Sequence, residues 1–463
     1  MLSVFLAMGL ANAGAPAAKI CKDCSVLWIV IDTTRADYVG CFGGPKKNSP
    51  VIDGLCAEGL SYGEAYAQAP ATMLSVSSYF SGRYRMSTGI DFMLWNDQNF
   101  HPLSSDVTTI AEVLKEEGFR TWGMTANPSI ADRRSEGKGQ FHLNYEQGFE
   151  AWDFGNDDDL AKKGVAKLEE LASGKDRFFL YMHGMGPHFP NMRRPGFEQR
   201  QGDQYPKTLA QADQDFNYVL INKGELDGSG LQGDYLRALY SDDLWYADQN
   251  FVGPLLQKVK ALGIEDKLLV VFTSDHGEAL GELHEFGAGK NTTYAPYWGH
   301  SHPTLIADTL HVPMVFRGPG IPVGVQVSDQ IAENVDVGPT IVNYLGIEQK
   351  AEWGWDGAPL FGPGAVASTW SIADQGAGKT ARTAARDLKY TTSWIHSWDR
   401  YDYYDHSAKG PRVVTAKTAD HEKLAGIIKK YIATAHPPGA EANMAAPDGE
   451  LLEQLKALGY MEQ

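Results

Sequence analysis

The chain has 463 residues, 43% of them hydrophobic and 11% aromatic, and its 41 Lys+Arg against 58 Asp+Glu give a net charge of −17. That apolar content can build a large core and excludes a disordered or low-complexity chain. No run of five or more basic residues occurs, so nucleic acid is not an expected partner, because counterion release depends on clustered Lys and Arg.

Residues 2–13 (LSVFLAMGLANA) form a short apolar run ending in Ala11-Asn12-Ala13, with small residues where signal peptidase requires them. The expectation is a removed secretory signal over 1–15 and an exported, periplasmic or extracellular protein. A span needs about 20 apolar residues and no later run reaches that length, so no stable membrane span is expected. The four cysteines, Cys21, Cys24, Cys41 and Cys56, all lie in the first 56 residues. In an exported chain, Cys41–Cys56 would close a loop of about 15 residues worth about 3 kcal/mol in the chain-entropy model. Cys56 in DGLCAEGL is equally readable as a core residue. Cys21-Lys22-Asp23-Cys24 has the spacing of half a zinc site or a redox pair, without the partner motif that either needs.

Residues 25–32 (SVLWIVID) are a continuous apolar run closing on an acid, the pattern of a strand buried on both faces of a parallel sheet. The pattern recurs at 177–183, 268–276 and 312–316, with helical stretches at 108–117, 160–172 and 235–263. This alternation predicts an α/β fold, a mostly parallel central sheet with helices on both faces. Ligands bind such sheets beyond the carboxyl ends of the strands. After a helix at 335–345, the Gly/Pro-rich passage 352–365 breaks the pattern. Short strands at 367–372, 388–394 and 400–405 and helices at 419–433 and 449–458 then predict a smaller C-terminal α+β subdomain. The expected division is a catalytic domain over 22–350 and a C-terminal subdomain over 365–463.

Three segments carry chemistry. Asp32 ends the first strand. Asp275-His276, in Thr273-Ser274-Asp275-His276-Gly277-Glu278, adds a hard oxygen and an imidazole nitrogen, so the three could hold one divalent cation. The segment 69–89 (APATMLSVSSYFSGRYRMSTG) is dense in hydroxyls and leads a helix, with Thr72 readable as its cap. A helix N-terminus also attracts anions through its unpaired N–H groups and dipole.

VLWIVIDTTRADYVGCFG, SPVIDGLCAEG, SSYFSGRY, LNYEQGFEAWDF, FTSDHGEALGE, HVPMVFRGPG, VDVGPTIVNYLGI and the terminal LKALGY resemble, in order, the landmarks of the sulfatase family of the alkaline phosphatase superfamily. The resemblance spans about residue 25 to the C-terminus and implies a hydrolytic α/β core with a small C-terminal subdomain. It implies Asp32, Asp275, His276 and Thr72 at a metal site, with Thr33 in place of a second acid, and Thr72 at the nucleophile position. The family has Cys or Ser there, within C/S-x-P-S-R, and oxidises it to formylglycine. This chain reads Thr72-Met73-Leu74-Ser75-Val76, and threonine cannot be so converted. A threonine at that position is similar to phosphodiesterases, phosphoethanolamine transferases and related phosphoryl-transfer members, with Ser75 as fallback nucleophile.

By the same resemblance His188, in Pro187-His188-Phe189-Pro190, meets the substrate oxyanion or protonates the leaving group. His300, His302 or Lys290 holds the transferred group, and Asn127 and His183 are substrate contacts that are equally a turn residue and a structural histidine. The implied cofactor is one divalent ion, Ca²⁺, Mn²⁺, Mg²⁺ or Zn²⁺. The expected function is hydrolysis of a phosphoester, phosphodiester or phosphonate on a small molecule, glycan or lipid head group. The alternatives are sulfuric ester hydrolysis and a catalytically inactive sulfatase-like binding protein. Substrate choice is expected in the loops 91–105, 190–232 and 284–303, with Trp95, Tyr205, Tyr294, Tyr297 and Trp298 as candidate stacking platforms.

Overall fold

The computed structural model describes residues 15–90, 102–132, 143–205, 217–286, 293–300, 305–375, 381–406, 412–413 and 417–435. The expected signal segment, the 449–458 helix and Trp95 lie outside these residues. An eight-stranded sheet runs, edge to edge, Val325–Val327, Leu60–Tyr62, Met314–Arg317, Leu268–Thr273, Ser25–Ile31, Phe178–Gly184, Arg120–Thr125 and Ala151–Phe154. Seven strands share one direction. Met314–Arg317, expected over 312–316 as one more strand of the parallel pattern, runs antiparallel to both its neighbours. Burial on both faces gives an apolar run whichever way a strand points, so the pattern carried no direction.

The central strand Ser25–Ile31 is buried along its whole length. Its alternating side chains feed two cores, as the period of two requires. Val26, Trp28 and Val30 enter the cluster that holds Leu74, Val76, Tyr79 and Phe80 of the helix Thr72–Ser81. Leu27, Ile29 and Ile31 enter the opposite cluster, with Leu160 and Leu168 of the helix Asp157–Ser173 and Leu255 of the helix Gly253–Leu262. Each such side chain withdrawn from water contributes about 1.5–3 kcal/mol. The helix expected over 235–263 starts at Gly230 and continues through a π turn at Asp248–Val252.

Aromatic packing fixes the helix that starts at Thr72. Trp28 meets Tyr79 with ring centroids 5.1 Å apart and Tyr181 at 5.8 Å, and Phe80 meets Tyr181 at 4.8 Å. The helix ends at Gly82, whose φ of 60° is left-handed, and a Cβ there would lie 2.7 Å from Trp355 Cγ. Only glycine fits both conditions. Cys41–Cys56 is disulfide-bonded. Cys21–Cys24 is bonded too, and so is neither a zinc half-site nor a free thiol pair in this structure.

The C-terminal part is a five-stranded antiparallel sheet, Trp370–Gln375, Arg382–Asp387, Tyr390–Ile395, Arg400–Asp405 and Arg412–Val413, covered by the helix Ala419–Thr434. Leu424, Ile428 and Tyr431 of that helix pack with Ile372 and Ala385 of the sheet. It joins the main body through buried polar groups. Glu333 accepts from the Ile372 N–H at 2.8 Å and from the Tyr84 hydroxyl at 2.7 Å, and Arg85 and Tyr431 both engage Asp374.

Burial and the charge of Asp336 hold the Glu333 carboxyl well above the ordinary range, and burial pushes Asp336 up to about 7. An acid with a raised folded-state pKa binds more protons folded than unfolded, so stability falls as pH rises. The window opens at the unfolded value of 3.8 and reaches about 7 for Asp336. The melting temperature is therefore expected to drop across this window. Glu333→Gln, which keeps the Ile372 and Tyr84 partners, should flatten the drop in a series of thermal melts.

Candidate active site

The sheet register places the site. Val30 pairs with His183 on one side and with Thr273 on the other, so Asp32, His183 and the 274–278 turn leave three adjacent strands at the same carboxyl edge. The strand expected over 268–276 ends at Thr273, and Ser274–Glu278 is a loop. The helix Thr72–Ser81 points its N-terminus at the same edge. Ala71 is its N-cap and makes no side-chain cap, and Thr72 is the first helical residue. The capping expected of Thr72 is therefore absent, and its hydroxyl faces the carboxylates instead.

Asp32, Thr72, Asn127, His183, Asp275 and His276 are all fully buried. The Thr72 hydroxyl lies 3.4 Å from Asp32 Oδ2 and 3.3 Å from His276 Nε2, and accepts from Asn127 Nδ2 at 3.1 Å. The same amide donates to Asp32 Oδ2 at 2.6 Å. Asn127 is also a turn residue, its Oδ1 accepting from the Ser129 N–H at 2.8 Å. The turn reading of Asn127 is therefore seen in its Oδ1, while its Nδ2 faces Asp32 and Thr72. Ser75 Oγ donates to the Asp275 carbonyl at 2.6 Å, which ties up the fallback nucleophile.

His183, expected as a substrate contact, instead faces the carboxylates. Its Nε2 is 3.2 Å from Asp32 Oδ2 and 3.9 Å from Asp275 Oδ2. His276 Nε2 is 3.7 Å from Asp32 Oδ1 and 3.5 Å from Asp275 Oδ2. Asp32, His183 and Asp275 bring one ligand atom each within 4.8 Å of one another, the arrangement of a metal-holding group. Among the described residues, Asp32 Oδ1 and Asp275 Oδ2 have no hydrogen-bond partner. Two buried carboxylate oxygens left bare beside two imidazoles fit a divalent cation, since a buried anion needs a compensating charge.

The other Asp32 oxygen is met by side chains, and the other Asp275 oxygen by the backbone. Asp275 Oδ1 accepts from the His276 N–H at 2.9 Å and the Thr33 N–H at 3.2 Å. Thr33 reaches it with φ at 51°, a left-handed conformation unusual for a β-branched residue, and Tyr240 OH donates to its carbonyl at 2.7 Å. Burial alone would raise the Asp32 pKa, but the hydrogen bond from His183 and the nearby His188 and His276 hold it well below the usual carboxylate range. Burial opposes a charge on His183, yet its hydrogen bond to Asp32 and the charge of Asp275 hold its pKa above the ordinary value.

His188 and His300 form the next side of the site. The His300 ring centroid is 4.7 Å from those of both His276 and His188. His300 Nδ1 lies 3.1 Å from Glu278 Oε1. Burial pushes Glu278 up to about 8 and His300 down to about 3, and lowers His188 as well. The His188 Nδ1–H donates to the Phe189 carbonyl, so in the neutral ring Nε2 carries a lone pair. A lone pair there can accept a proton. Lys290 and His302 lie outside the described residues.

Sequence reasoning overlooked Tyr181, although it stands two residues before His183 on one strand and so shares its face. Its hydroxyl meets His183 Nδ1 at 2.9 Å. Trp298 is not a surface platform: it is buried against Tyr218 at 5.4 Å. The Tyr297 hydroxyl donates to the His300 carbonyl at 2.8 Å, and Tyr205 packs on Phe197 and Tyr235.

The sulfatase family profile matches residues 25–347. The ulvan-active sulfatase of Formosa agariphila is 26% identical over 289 residues, 56% of this chain and 51% of that protein, so the chain spans about half the length of this relative. N-acetylgalactosamine-6-sulfatase of Mus musculus is 23% identical over 456 residues, 91% of this chain and 81% of that protein. The fold is shared with the phosphonate monoester hydrolase SpPMH from Silicibacter pomeroyi, at a TM-score of 0.64 and 18% identity over 89% of this chain and 94% of that one. With its profile matched over most of the length and its carboxylates converging at one sheet edge, the chain belongs to the sulfatase family.

Proposed function

We propose that the protein is a metal-dependent ester hydrolase that attacks phosphoester, phosphodiester or phosphonate bonds with Thr72. The observation that carries this reading is the Thr72 hydroxyl itself, in the first turn of a helix and facing Asp32 and His276 at 3.4 and 3.3 Å. Threonine cannot be oxidised to formylglycine, and it retains a hydroxyl able to attack phosphorus in line. Asp32, Asp275, His276 and His183 would hold the cation. Bound there, it supplies a positive field that favours an alkoxide and steadies charge on the transferred group.

The chain's own groups account for the remaining steps. Asn127 Nδ2 and the N–H groups of the helix N-terminus hold the anionic oxygens. Thr72 Oγ1 bonds to phosphorus as the ester P–O bond breaks, its hydroxyl proton passing to the departing ester oxygen, which leaves as an alcohol with the electron pair of that bond. His188 then accepts a proton from the water that bonds to phosphorus and returns it to Thr72 Oγ1, which departs with the electron pair of the broken P–O bond and regains its hydroxyl. Ca²⁺, Mn²⁺, Mg²⁺ and Zn²⁺ are the candidate ions. The substrate is an ester on a small molecule, glycan or lipid head group, met outside the cytoplasm by an exported protein. Residues 22–350 form the catalytic domain and 365–463 the C-terminal subdomain. Sulfuric ester hydrolysis is the second reading, favoured by the sulfatase names of the sequence relatives.

A cation that binds only the folded state raises stability by mass action, by about 2.7 kcal/mol at a concentration 100-fold above Kd. Mn²⁺ or Zn²⁺ added to chelator-treated protein should therefore raise Tm. Asp275→Asn, which keeps the Oδ1 acceptor and replaces the bare oxygen with an amide, should abolish the shift. No shift in the wild-type protein, together with inertness toward activated esters, would instead favour a binding protein without chemistry.

Thr72→Ala should abolish turnover of aryl phosphates, diesters and phosphonates while the cation-dependent Tm shift remains. Acid-quenched wild-type protein should carry one added phosphoryl group on the Thr72 peptide by mass spectrometry. Unchanged turnover in the alanine variant would sink the nucleophile assignment. A higher kcat/KM on aryl sulfates than on aryl phosphates would transfer the conclusion to the sulfuric-ester reading.

A further inference from the structure

His183 and His276 face the same two carboxylates but are held differently from behind. His276 Nδ1 donates to the Gly277 carbonyl at 2.9 Å. A carbonyl can only accept, so the neutral ring always turns the Nε2 lone pair toward Thr72 and the carboxylates. His183 Nδ1 meets the Tyr181 hydroxyl at 2.9 Å, and that hydroxyl meets the Tyr79 hydroxyl at 2.6 Å. A phenol can donate or accept. Tyr79, Tyr181 and His183 are all fully buried.

We propose that the Tyr79–Tyr181 hydroxyl pair is a reversible relay that lets His183 exchange its role as donor to Asp32 for that of cation ligand. Tyr181 is then a positioning residue that sets the affinity of the site for a divalent cation. The inference rests on the cation reading of Asp32 and Asp275 above. In one polarity, Tyr79 donates to Tyr181, Tyr181 donates to His183 Nδ1, and Nε2–H donates to Asp32 Oδ2 across the observed 3.2 Å. In the other, Nδ1–H donates to Tyr181, Tyr181 donates to Tyr79, and Nε2 presents a lone pair beside Asp275 Oδ2, 3.9 Å away. The imidazole carries one hydrogen in both, moved from Nε2 to Nδ1, and each phenol keeps its own, so no proton enters or leaves the site. His276 has no such choice.

The test uses full-length protein with Tyr181→Phe, which keeps the ring that stacks on Trp152 at 5.8 Å and removes only the hydroxyl. With phenylalanine there, Nδ1 loses its partner and the one satisfied tautomer is Nε2–H on Asp32, which opposes the cation. Equilibrium dialysis against Zn²⁺ and Mg²⁺, both diamagnetic, should show affinity falling about 10–100-fold, the range for removing an outer-shell partner of a metal ligand. The Tm of the cation-free variant should fall, because Tyr79 and His183 each lose a buried partner, so the dialysis is run well below that Tm on folded protein. Tyr79→Phe, which leaves the Tyr181 hydroxyl on His183, should lose less in the same direction. In ¹⁵N-histidine-labelled wild-type protein, long-range proton–nitrogen spectra should show the His183 hydrogen move from Nε2 to Nδ1 on cation loading. Wild-type affinity in Tyr181→Phe, or a hydrogen that stays on Nε2 in the loaded protein, overturns the relay while leaving the carboxylate site standing. Failure of the wild-type protein to bind either ion overturns both.

Discussion

Two carboxylates, Asp32 and Asp275, lie fully buried at one sheet edge, each with an oxygen that no described residue satisfies. Burying an ion costs several kcal/mol even after relaxation, and most of the local structure is an answer to that cost. The Thr33 and His276 N–H groups take one oxygen of Asp275; Asn127, His183 and Thr72 crowd the other oxygen of Asp32. Thr33 holds a left-handed backbone to do so, a strain of about 1–3 kcal/mol. Every donor that can reach is used, and the two oxygens left over face the imidazoles of His183 and His276. A cation completes that arrangement in a way that no further side chain of the site does.

The sheet makes the convergence possible. Asp32 and Asp275 are separated by more than half the chain, yet the strands before them are hydrogen-bonded neighbours with a fixed register. His183 is brought in by the neighbour on the other side. The helix carrying Thr72 is placed by packing, because Trp28, Tyr79, Phe80 and Tyr181 lock its face to the sheet. Tyr79 and Tyr181 therefore serve twice. Their rings position the helix that starts at Thr72, and their hydroxyls stand behind His183.

How much of this was legible in the sequence follows from which physical signals are local. An apolar run closing on an acid marks a buried strand that delivers a carboxylate to a sheet edge, and so Asp32 and Asp275 were readable. The direction of Met314–Arg317 was not, because burial on both faces looks the same in either sense. Thr72 was readable only through family resemblance, since Ala71 caps the helix without a side-chain signal. His183 was ambiguous because a histidine in an apolar strand has the same local pattern whether it packs or faces a site, and its partner Tyr181 was overlooked because a tyrosine in a buried strand reads as core. Trp298 looked like a loop aromatic, and it is buried in a cluster with Tyr218, Leu236 and Leu280 that are remote from it in sequence.

The same site also bears on which cation it suits. Position 33 carries threonine rather than an acid, so the donor set has two carboxylates and up to two imidazoles. Calcium takes six to eight oxygen ligands, and magnesium keeps several waters around one or two carboxylates. Each imidazole in place of an oxygen shifts the balance toward zinc and manganese, and toward zinc more strongly.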